Sequence, residues 1–251
     1  MSEYFSLATN LPQQLPLESR SVTIVIPCLN EEGNLEKLFD LIDKLFLQLG
    51  FTLPVVLVDD GSTDESPKIL MMLQQKYDFL KVITHPKRLG VTCVWQTAIA
   101  NTTSDWILWG QADLESNPAL DFPLLLEACT SGVHGVAGWR QNRGDGKTFA
   151  SKLANNTCRL IFGLEIHDMN WIKLVPRKLV ADIAIDVVTH RYLLAVLSGL
   201  GCKIIEVPTP WFARHSGYSK FGKKRLLSSS LDFLRAFIWF VRTKNFGKKA
   251  R

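Results

Sequence analysis

The sequence predicts an α/β fold, with a mostly parallel, Rossmann-like sheet flanked by helices. Four short, nearly continuous apolar runs are typical of parallel strands buried on both faces, and they lie at 22–27, 54–59, 81–84 and 105–110. Segments with apolar residues at helical spacing separate these runs, at 34–49, 66–77 and 91–100. The order β-α-β-α-β-α-β predicts parallel strands joined by right-handed crossovers.

The second half is more mixed, with strands expected at 135–138 and 203–207, helices at 149–162 and 188–200, and a further segment at 170–175. No internal repeat or linker divides the 251 residues, and 47% hydrophobic with 21% charged residues suits one large domain. We therefore expect a polar tail at 1–20, one domain at 21–225, and an amphipathic basic helix and tail at 226–251.

The five cysteines lie far apart, with no CxxC pair and no histidine cluster. An odd, scattered set argues against a disulfide framework or a zinc site and indicates a reducing compartment such as the cytosol. The first twenty residues lack a basic start followed by an apolar run, so we expect no signal peptide there.

The net charge of +5 is unevenly distributed. Residues 214–251 carry eleven Lys or Arg and one acidic residue, whereas residues 1–213 carry 18 basic and 23 acidic residues. A basic end on an acidic body predicts an anionic partner, a membrane or a nucleic acid, unless it is only a solvated charged terminus.

Polar clusters follow the predicted strands at 28–32, 59–62, 85–88 and 111–113. Ligands of open α/β sheets bind beyond the carboxyl ends of the strands, so these clusters predict the site. In the run 59–64 (DDGSTD), a carboxylate can accept hydrogen bonds from a nucleotide base, and Gly61 permits a tight turn. The same run can instead cap the next helix through Ser62 or Asp64.

Residues 111–115 (QADLE) place amide and carboxylate oxygens at alternate positions after the fourth strand. Such oxygens suit Mg²⁺ or Mn²⁺, which would neutralise charge on a departing nucleoside diphosphate. The alternative is an acidic loop that starts a helix at Pro118. Further along, Arg140 and Arg143 end another strand, where they could hold phosphates or simply lie on the surface.

Two later segments carry further signals. His190 and Arg191 lie within an apolar pattern, and an arginine is costly to bury unpaired. The cationic, aromatic-bearing loop 214–222 is suited to closing over an anionic ligand. The strands lack the interleaved aromatic and basic residues of a nucleic-acid-binding sheet, so we expect no nucleic-acid partner.

The C-terminal segment has apolar residues at helical spacing, at positions 227, 231, 234, 238 and 241. The run 226–241 is shorter than the ~20 residues that a membrane span needs, and it contains Asp232 and Arg235. It predicts an amphipathic helix in the membrane interface, with a helix packed on protein as the alternative.

Together these residues resemble the inverting family-2 glycosyltransferases of GT-A fold, and among them the polyprenol-phosphate glycosyltransferases, the group of dolichol-phosphate mannose synthase. The resemblance covers residues 22–234. Residues 111–115 fall on the family's metal motif, usually Asp-x-Asp-x-Gln, with Gln first and Glu last in this chain. Residues 217–222 (GYSKFG) resemble its Gly-Lys-Ser-Lys-Tyr-Gly loop. Residues 138–140, 167–173 and 190–192 resemble its acceptor-side and phosphate-side motifs.

The resemblance implies a nucleotide pocket at the first two strand ends, with Leu29 where the family often has an aromatic residue. The expected nucleotide-sugar-binding residues are Pro27, Leu29, Glu31, Asp59, Asp60, Lys87, Arg88 and Gln111. The expected ligands of Mg²⁺ or Mn²⁺ are Asp113 and Glu115. The expected catalytic residues, which align the reactants or stabilise the leaving diphosphate, are Asp113, Arg140, Arg191 and Lys220.

The resemblance further implies sugar transfer from a UDP- or GDP-sugar to a polyprenyl phosphate. The acceptor is already anionic, so no strong general base is needed. We expect a peripheral protein at the cytoplasmic face of a membrane, where a partner subunit could anchor it. Two alternatives stay open: a soluble acceptor, or a non-catalytic nucleotide-sugar binder, which Gln111 in place of an aspartate favours.

Overall fold

The computed structural model describes residues 21–142, 148–216 and 225–249. The predicted tail at 1–20, Arg143, Lys220 and the rest of the 217–222 motif lie outside these residues. The strands are β1 (Val22–Cys28), β2 (Val55–Asp59), β3 (Leu80–Thr84), β4 (Trp106–Trp109), β5 (Gly135–Gln141), β6 (Lys173–Pro176) and β7 (Ile204–Pro210). The helices are α1 (Leu35–Leu49), α2 (Ser66–Lys76), α3 (Val91–Ala100), α4 (Pro118–Ala128), α5 (Thr148–Phe162), α6 (Arg177–Asp182), α7 (Ile185–Gly199) and α8 (Arg225–Lys249).

The seven strands form one mixed sheet in the order β3-β2-β1-β4-β6-β5-β7. Pairs β3–β2, β2–β1, β1–β4 and β5–β7 are parallel, whereas β6 runs antiparallel to both β4 and β5. The predicted α/β fold with a mostly parallel sheet is thus confirmed. Because β6 is reversed, the residues that precede it lie at the edge where the parallel strands end.

The sheet separates two apolar cores, because successive side chains of a strand point to opposite faces. Ile24 and Ile26 pack with α1, α2 and α4, whereas Val25 packs with α3 and with α5 to α8. Both layers are fully buried at these positions, which explains why the parallel strands read as continuous apolar runs.

Helix α8 lies on α7, and its two faces differ. Ala236 and Phe240 are buried against the body of the protein, whereas Leu231, Leu234 and Ile238 are 55%, 52% and 40% exposed. The interpretation of a helix packed on protein is therefore correct for one face, whereas the other face presents apolar side chains outward and its place in a membrane interface stays a prediction. Among the described residues, no helix is both long and apolar enough to cross a bilayer.

Candidate active site

The ends of β1 and β2 are joined by reciprocal hydrogen bonds between the two loops that follow them. The Asn30 amide donates to Ser62 Oγ over 2.8 Å, and the Thr63 amide donates to Asn30 Oδ1 over 2.7 Å. The Glu31 amide donates to Ser66 Oγ over 2.9 Å. Asn30 has a φ of 51°, a left-handed conformation that asparagine tolerates better than most residues. These bonds hold the predicted nucleotide-binding loops side by side.

Asp60 organises the loop that follows β3. Its Oδ1 accepts hydrogen bonds from His85 Nδ1 at 2.9 Å and from the Leu89 amide at 2.8 Å, and its Oδ2 accepts one from the Gly90 amide at 2.8 Å. His85 Nε2 lies 2.8 Å from Thr97 Oγ1 of α3. Asp60 therefore shapes the loop itself, and recognition of a base by this carboxylate stays a prediction.

The same loop carries two of the predicted nucleotide-sugar-binding residues. Lys87 and Arg88 are exposed, and their backbone lies directly over Gly61. A side chain on Gly61 would place its Cβ 2.4 Å from the Lys87 carbonyl carbon and 2.6 Å from the Arg88 nitrogen. Gly61 also has a φ of 74°, so a glycine is required there for both reasons. The structure thus brings 59–62 and 85–90 into contact.

The turn after β4 carries the two predicted metal ligands. Leu114, at a φ of 58°, turns the backbone between Asp113 and Glu115, and the Glu115 amide donates to Asp113 Oδ1 over 3.2 Å. Both carboxylates hold one guanidinium: Arg214 Nη2 is 2.6 Å from Asp113 Oδ2, and Arg214 Nε is 2.8 Å from Glu115 Oε1. Both predicted metal ligands are thus directed at one positively charged group.

Burial raises the pKa of Asp113 from 3.8 to about 6, since a buried carboxylate loses the hydration of its charge. The Arg214 guanidinium lowers this pKa, whereas the Glu115 carboxylate raises it. Asp113 therefore depends on a positive charge beside it in order to stay ionised.

The donor set after β4 suits a hard divalent cation. A group of three His, Cys, Asp or Glu side chains that could hold a metal does not occur in the part of the chain that the structure describes, and Gln111, two residues before Asp113, is the nearest further oxygen donor in the sequence. Gln111 Oε1 is buried and has no hydrogen-bond partner among the described residues, which indicates that a ligand serves it. Three oxygen donors with remaining positions for water and phosphate fit Mg²⁺ or Mn²⁺.

Arg140 lies at the end of β5, as predicted, but it is already paired. Its Nε and Nη2 contact Asp168 Oδ2 and Oδ1 at 2.5 and 2.9 Å, and its guanidinium lies 4.4 Å from the centre of the Trp171 ring. The reversed β6 delivers Asp168 to this edge. Burial lowers the pKa of the adjacent Lys173 to about 8, opposed by Asp168.

Arg191 is held by α8, away from the contacts just described. Its Nη1 lies 2.6 Å from Asp232 Oδ2 and 3.2 Å from Ser228 Oγ, both on the C-terminal helix. Thr189, two residues earlier, breaks α7 with a φ of 56° and a ψ of 160°. The recorded contacts of Arg191 are thus with α8, and its catalytic role stays a prediction, as does that of Lys220.

The model of the family described as Glycosyl transferase family 2 matches residues 23–180, more than half of the chain. The chain belongs to this family. The match covers β1 to β6 and every strand end described above. The chain is therefore a glycosyltransferase, and the interpretation as a member of family 2 is confirmed.

Curated relatives of this glycosyltransferase carry names that refer to prenyl phosphates. It is 27% identical over 241 residues to the dodecaprenyl-phosphate galacturonate synthase of Rhizobium johnstonii, covering 91% of this chain and 70% of the relative. It is 26% identical over 219 residues to the undecaprenyl-phosphate 4-deoxy-4-formamido-L-arabinose transferase of Klebsiella pneumoniae, covering 86% and 67%.

Solved structures show the same fold. Glucosyl-3-phosphoglycerate synthase from Mycobacterium tuberculosis, in complex with Mn²⁺ and UDP-glucose, superposes with a TM-score of 0.67 at 19% identity, covering 89% of this chain and 79% of that one. A complex of the same enzyme with Mg²⁺ and UDP gives a TM-score of 0.63 at 18% identity, covering 86% and 76%. The GT-A fold of this glycosyltransferase is thereby confirmed.

Sequence reasoning missed the partners of the site residues. Arg214 was assigned only to a loop that closes over an anion, although it bridges Asp113 and Glu115. Asp168 was placed in an acceptor-side motif without a partner, although it holds Arg140. The available signal was charge: each of these residues is an ionisable group in a largely apolar surrounding, which requires an opposite charge nearby.

Proposed function

We propose that this glycosyltransferase transfers a sugar from a UDP- or GDP-sugar to a polyprenyl phosphate, with inversion, at the cytoplasmic face of a membrane. The observation that carries the proposal is the outward apolar face of α8, at Leu231, Leu234 and Ile238, with Arg235 and Arg242 exposed on the same helix. Because a lipid acceptor resides in a membrane, the enzyme has to bind at the membrane surface. The apolar and basic side chains of this face suit binding to an anionic membrane surface. The prenyl-phosphate names of the relatives support the same acceptor.

Transfer with inversion is a single displacement. A phosphate oxygen of the acceptor forms a bond to the anomeric carbon while the bond from that carbon to the nucleoside diphosphate breaks. Because the acceptor oxygen is already anionic, the site must chiefly align the reactants and stabilise the departing charge. A bound Mg²⁺ or Mn²⁺ would neutralise charge on the diphosphate, held by Gln111, Asp113 and Glu115.

On this proposal the remaining strand ends contact different parts of the donor and the acceptor. The loops after β1 and β2 line the nucleotide, Lys87 and Arg88 lie beside its phosphates, and Arg140 orients the acceptor phosphate from the end of β5. We assign Arg191, which Asp232 of the C-terminal helix holds, to the phosphate side of the site. Lys220 belongs to the loop between β7 and α8, which we expect to close over the reactants.

A soluble phosphorylated acceptor is the second candidate, favoured by the fold match to a synthase of glucosyl-3-phosphoglycerate. The test is a transfer assay with a panel of UDP- and GDP-sugars, a short polyprenyl phosphate or 3-phosphoglycerate, and Mg²⁺, Mn²⁺ or a chelator. Product that forms only with the lipid phosphate is the expected result. Equal or faster transfer to 3-phosphoglycerate would overturn the lipid assignment.

A further inference from the structure

Arg214 occupies the position in which a cation would serve Asp113 and Glu115. Its guanidinium spans both carboxylates, at 2.6 Å from Asp113 and 2.8 Å from Glu115, and the three side chains are only 18%, 14% and 19% exposed. Charge-assisted hydrogen bonds in such a weakly hydrated place are stronger than those of an exposed pair. A divalent cation that binds these carboxylates must therefore displace the guanidinium or share its oxygens.

The segment that carries Arg214 is anchored at both ends of the site. Next to β7, the Phe212 amide donates to the Glu115 carbonyl over 3.0 Å, and Trp211 Nε1 lies 3.4 Å from Glu115 Oε2. At its other end, the Ser216 carbonyl accepts a hydrogen bond from Asn34 Nδ2 at 3.4 Å, beside Gly33. Residues 211–216 thus cross from the end of β4 to the start of α1.

The charges around Arg214 determine under which conditions a cation could replace its guanidinium beside Asp113 and Glu115. Asp113, Glu115 and Arg214 carry a net charge of −1, and the Glu31 carboxylate adds negative charge that raises the pKa of both Asp113 and Arg214. The guanidinium makes this place attract a divalent cation less than its carboxylates alone would, and a diphosphate alone would be repelled by those carboxylates. If a cation and a diphosphate bound together, the carboxylates could hold the cation and the guanidinium could hold the diphosphate, so that every charge would keep a partner.

We propose that Arg214 is an internal competitor of the divalent cation, and that it makes cation binding depend on the nucleotide diphosphate. The proposal rests on the proposed use of a nucleotide-sugar donor, but it does not depend on the acceptor. Arg214 is in this sense a positioning residue, which sets the order in which ligands fill the site. By linkage, the nucleotide raises the affinity for the cation by the same factor as the cation raises the affinity for the nucleotide.

The test measures Mn²⁺ binding to the purified full chain from the electron paramagnetic resonance signal of free Mn²⁺, with no nucleotide, with UDP and with GDP. For the wild type we expect weak binding of Mn²⁺ alone and at least tenfold tighter binding with one of the two nucleotides. For Arg214→Gln we expect Mn²⁺ alone to bind at least tenfold more tightly, with the nucleotide effect reduced to less than threefold.

Two further variants serve as a graded change at Arg214 and as a matched control elsewhere. Arg214→Lys keeps the charge but cannot span both carboxylates, so we expect its Mn²⁺ affinity to lie between those of the wild type and Arg214→Gln. Arg159→Gln removes an exposed arginine of α5, outside every site described above, and should leave Mn²⁺ binding unchanged. Circular dichroism checks that each variant is folded, and Arg214→Lys decides the matter if Arg214→Gln is not.

The proposal is overturned if neutralising or shortening Arg214 leaves the affinity for Mn²⁺ alone unchanged, or if neither nucleotide tightens Mn²⁺ binding by the wild type. Because no acceptor is present, failure here is distinct from failure of the proposed function. If Mn²⁺ binding depends on the nucleotide and on Arg214 as expected, but no sugar is transferred to a lipid phosphate, this inference stands and the acceptor assignment is wrong.

Discussion

Replacement of the three outward residues of α8 by serine should abolish binding to membranes. Leu231, Leu234 and Ile238 are 55%, 52% and 40% exposed, so together they expose about one and a half side chains. Burial of a whole leucine or isoleucine side chain contributes roughly 1.5–3 kcal/mol, which gives about 3 kcal/mol for this face and a loss of roughly 100-fold in the partition constant.

The basic residues of α8 should make this binding depend on anionic lipid. Arg235, Arg242 and Lys244 are exposed, and each basic residue near an anionic surface contributes about 1 kcal/mol at moderate salt. Binding should therefore weaken when phosphatidylglycerol is left out of phosphatidylcholine vesicles or when salt is raised, because both changes reduce the surface potential.

Sedimentation with vesicles measures the partition constant for the wild type and the triple serine variant. The matched control replaces Met71 and Met72 of α2, each 58% exposed on the opposite side of the sheet, by serine. Vesicle binding by the triple variant that equals the wild type would refute the reasoning. An apolar face used for self-association would instead appear as a wild-type oligomer in sedimentation velocity that the triple variant lacks.

Three further outcomes are expected. Asp113→Ala should lower the transfer rate at least 100-fold while the circular dichroism spectrum stays unchanged, and normal turnover by the folded variant would exclude the site. Asp232→Asn should lower the free energy of unfolding by about 2 kcal/mol in urea titrations, because Arg191 Nη1 loses an anionic partner 2.6 Å away; no change would mean that the pair contributes little. Asp121→Asn should raise the free energy of unfolding at pH 8 by up to about 4 kcal/mol but much less at pH 5, and equal gains at both values would contradict this.

Burial raises the pKa of Asp121 from 3.8 to about 7, and this shift sets the direction in which stability changes with pH. The folded state therefore binds a proton more readily than the unfolded state between these values. Protonation favours folding as pH falls through 7, and above pH 7 the buried charge opposes folding. The stability of the wild type therefore falls as pH rises from 3.8 to about 7. Asparagine carries no charge at any pH, so the gain in stability from Asp121→Asn grows over this pH window and is complete above pH 7.

The first half of the fold was predictable from the sequence because β1, β2 and β4 are buried on both faces. Continuous apolar runs marked β1, β2, β3 and β4, and helical spacing marked the three helices between them. Helix α4 was anticipated only in the alternative that an acidic loop starts a helix at Pro118, because prolines at 118 and 123 and a weak apolar pattern hide it. The direction of β6 was also not readable, since four residues carry no signal for antiparallel pairing.

The location of the site was predictable, but its pairings were not. Strand ends identify a ligand-binding edge, so the positions of Asp60 and Asp113 followed from topology alone. The pair of Arg214 with Asp113 joins residues 101 positions apart, and that of Arg140 with Asp168 joins residues 28 apart. Such pairings depend on how loops cross the edge of the sheet, which residue spacing does not encode.

The reversed strand β6 has a consequence for how this enzyme can diversify. Segments that follow parallel strands build the half of the edge where we propose that the nucleotide binds, whereas the segment at 163–172 enters the other half before its strand begins. Insertions or deletions in that segment would alter the surroundings of Arg140 while the register of β1, β2 and β4 stays fixed. The parallel strands thus hold one half of the edge constant, and the reversed strand leaves the loop beside Arg140 free to change in length.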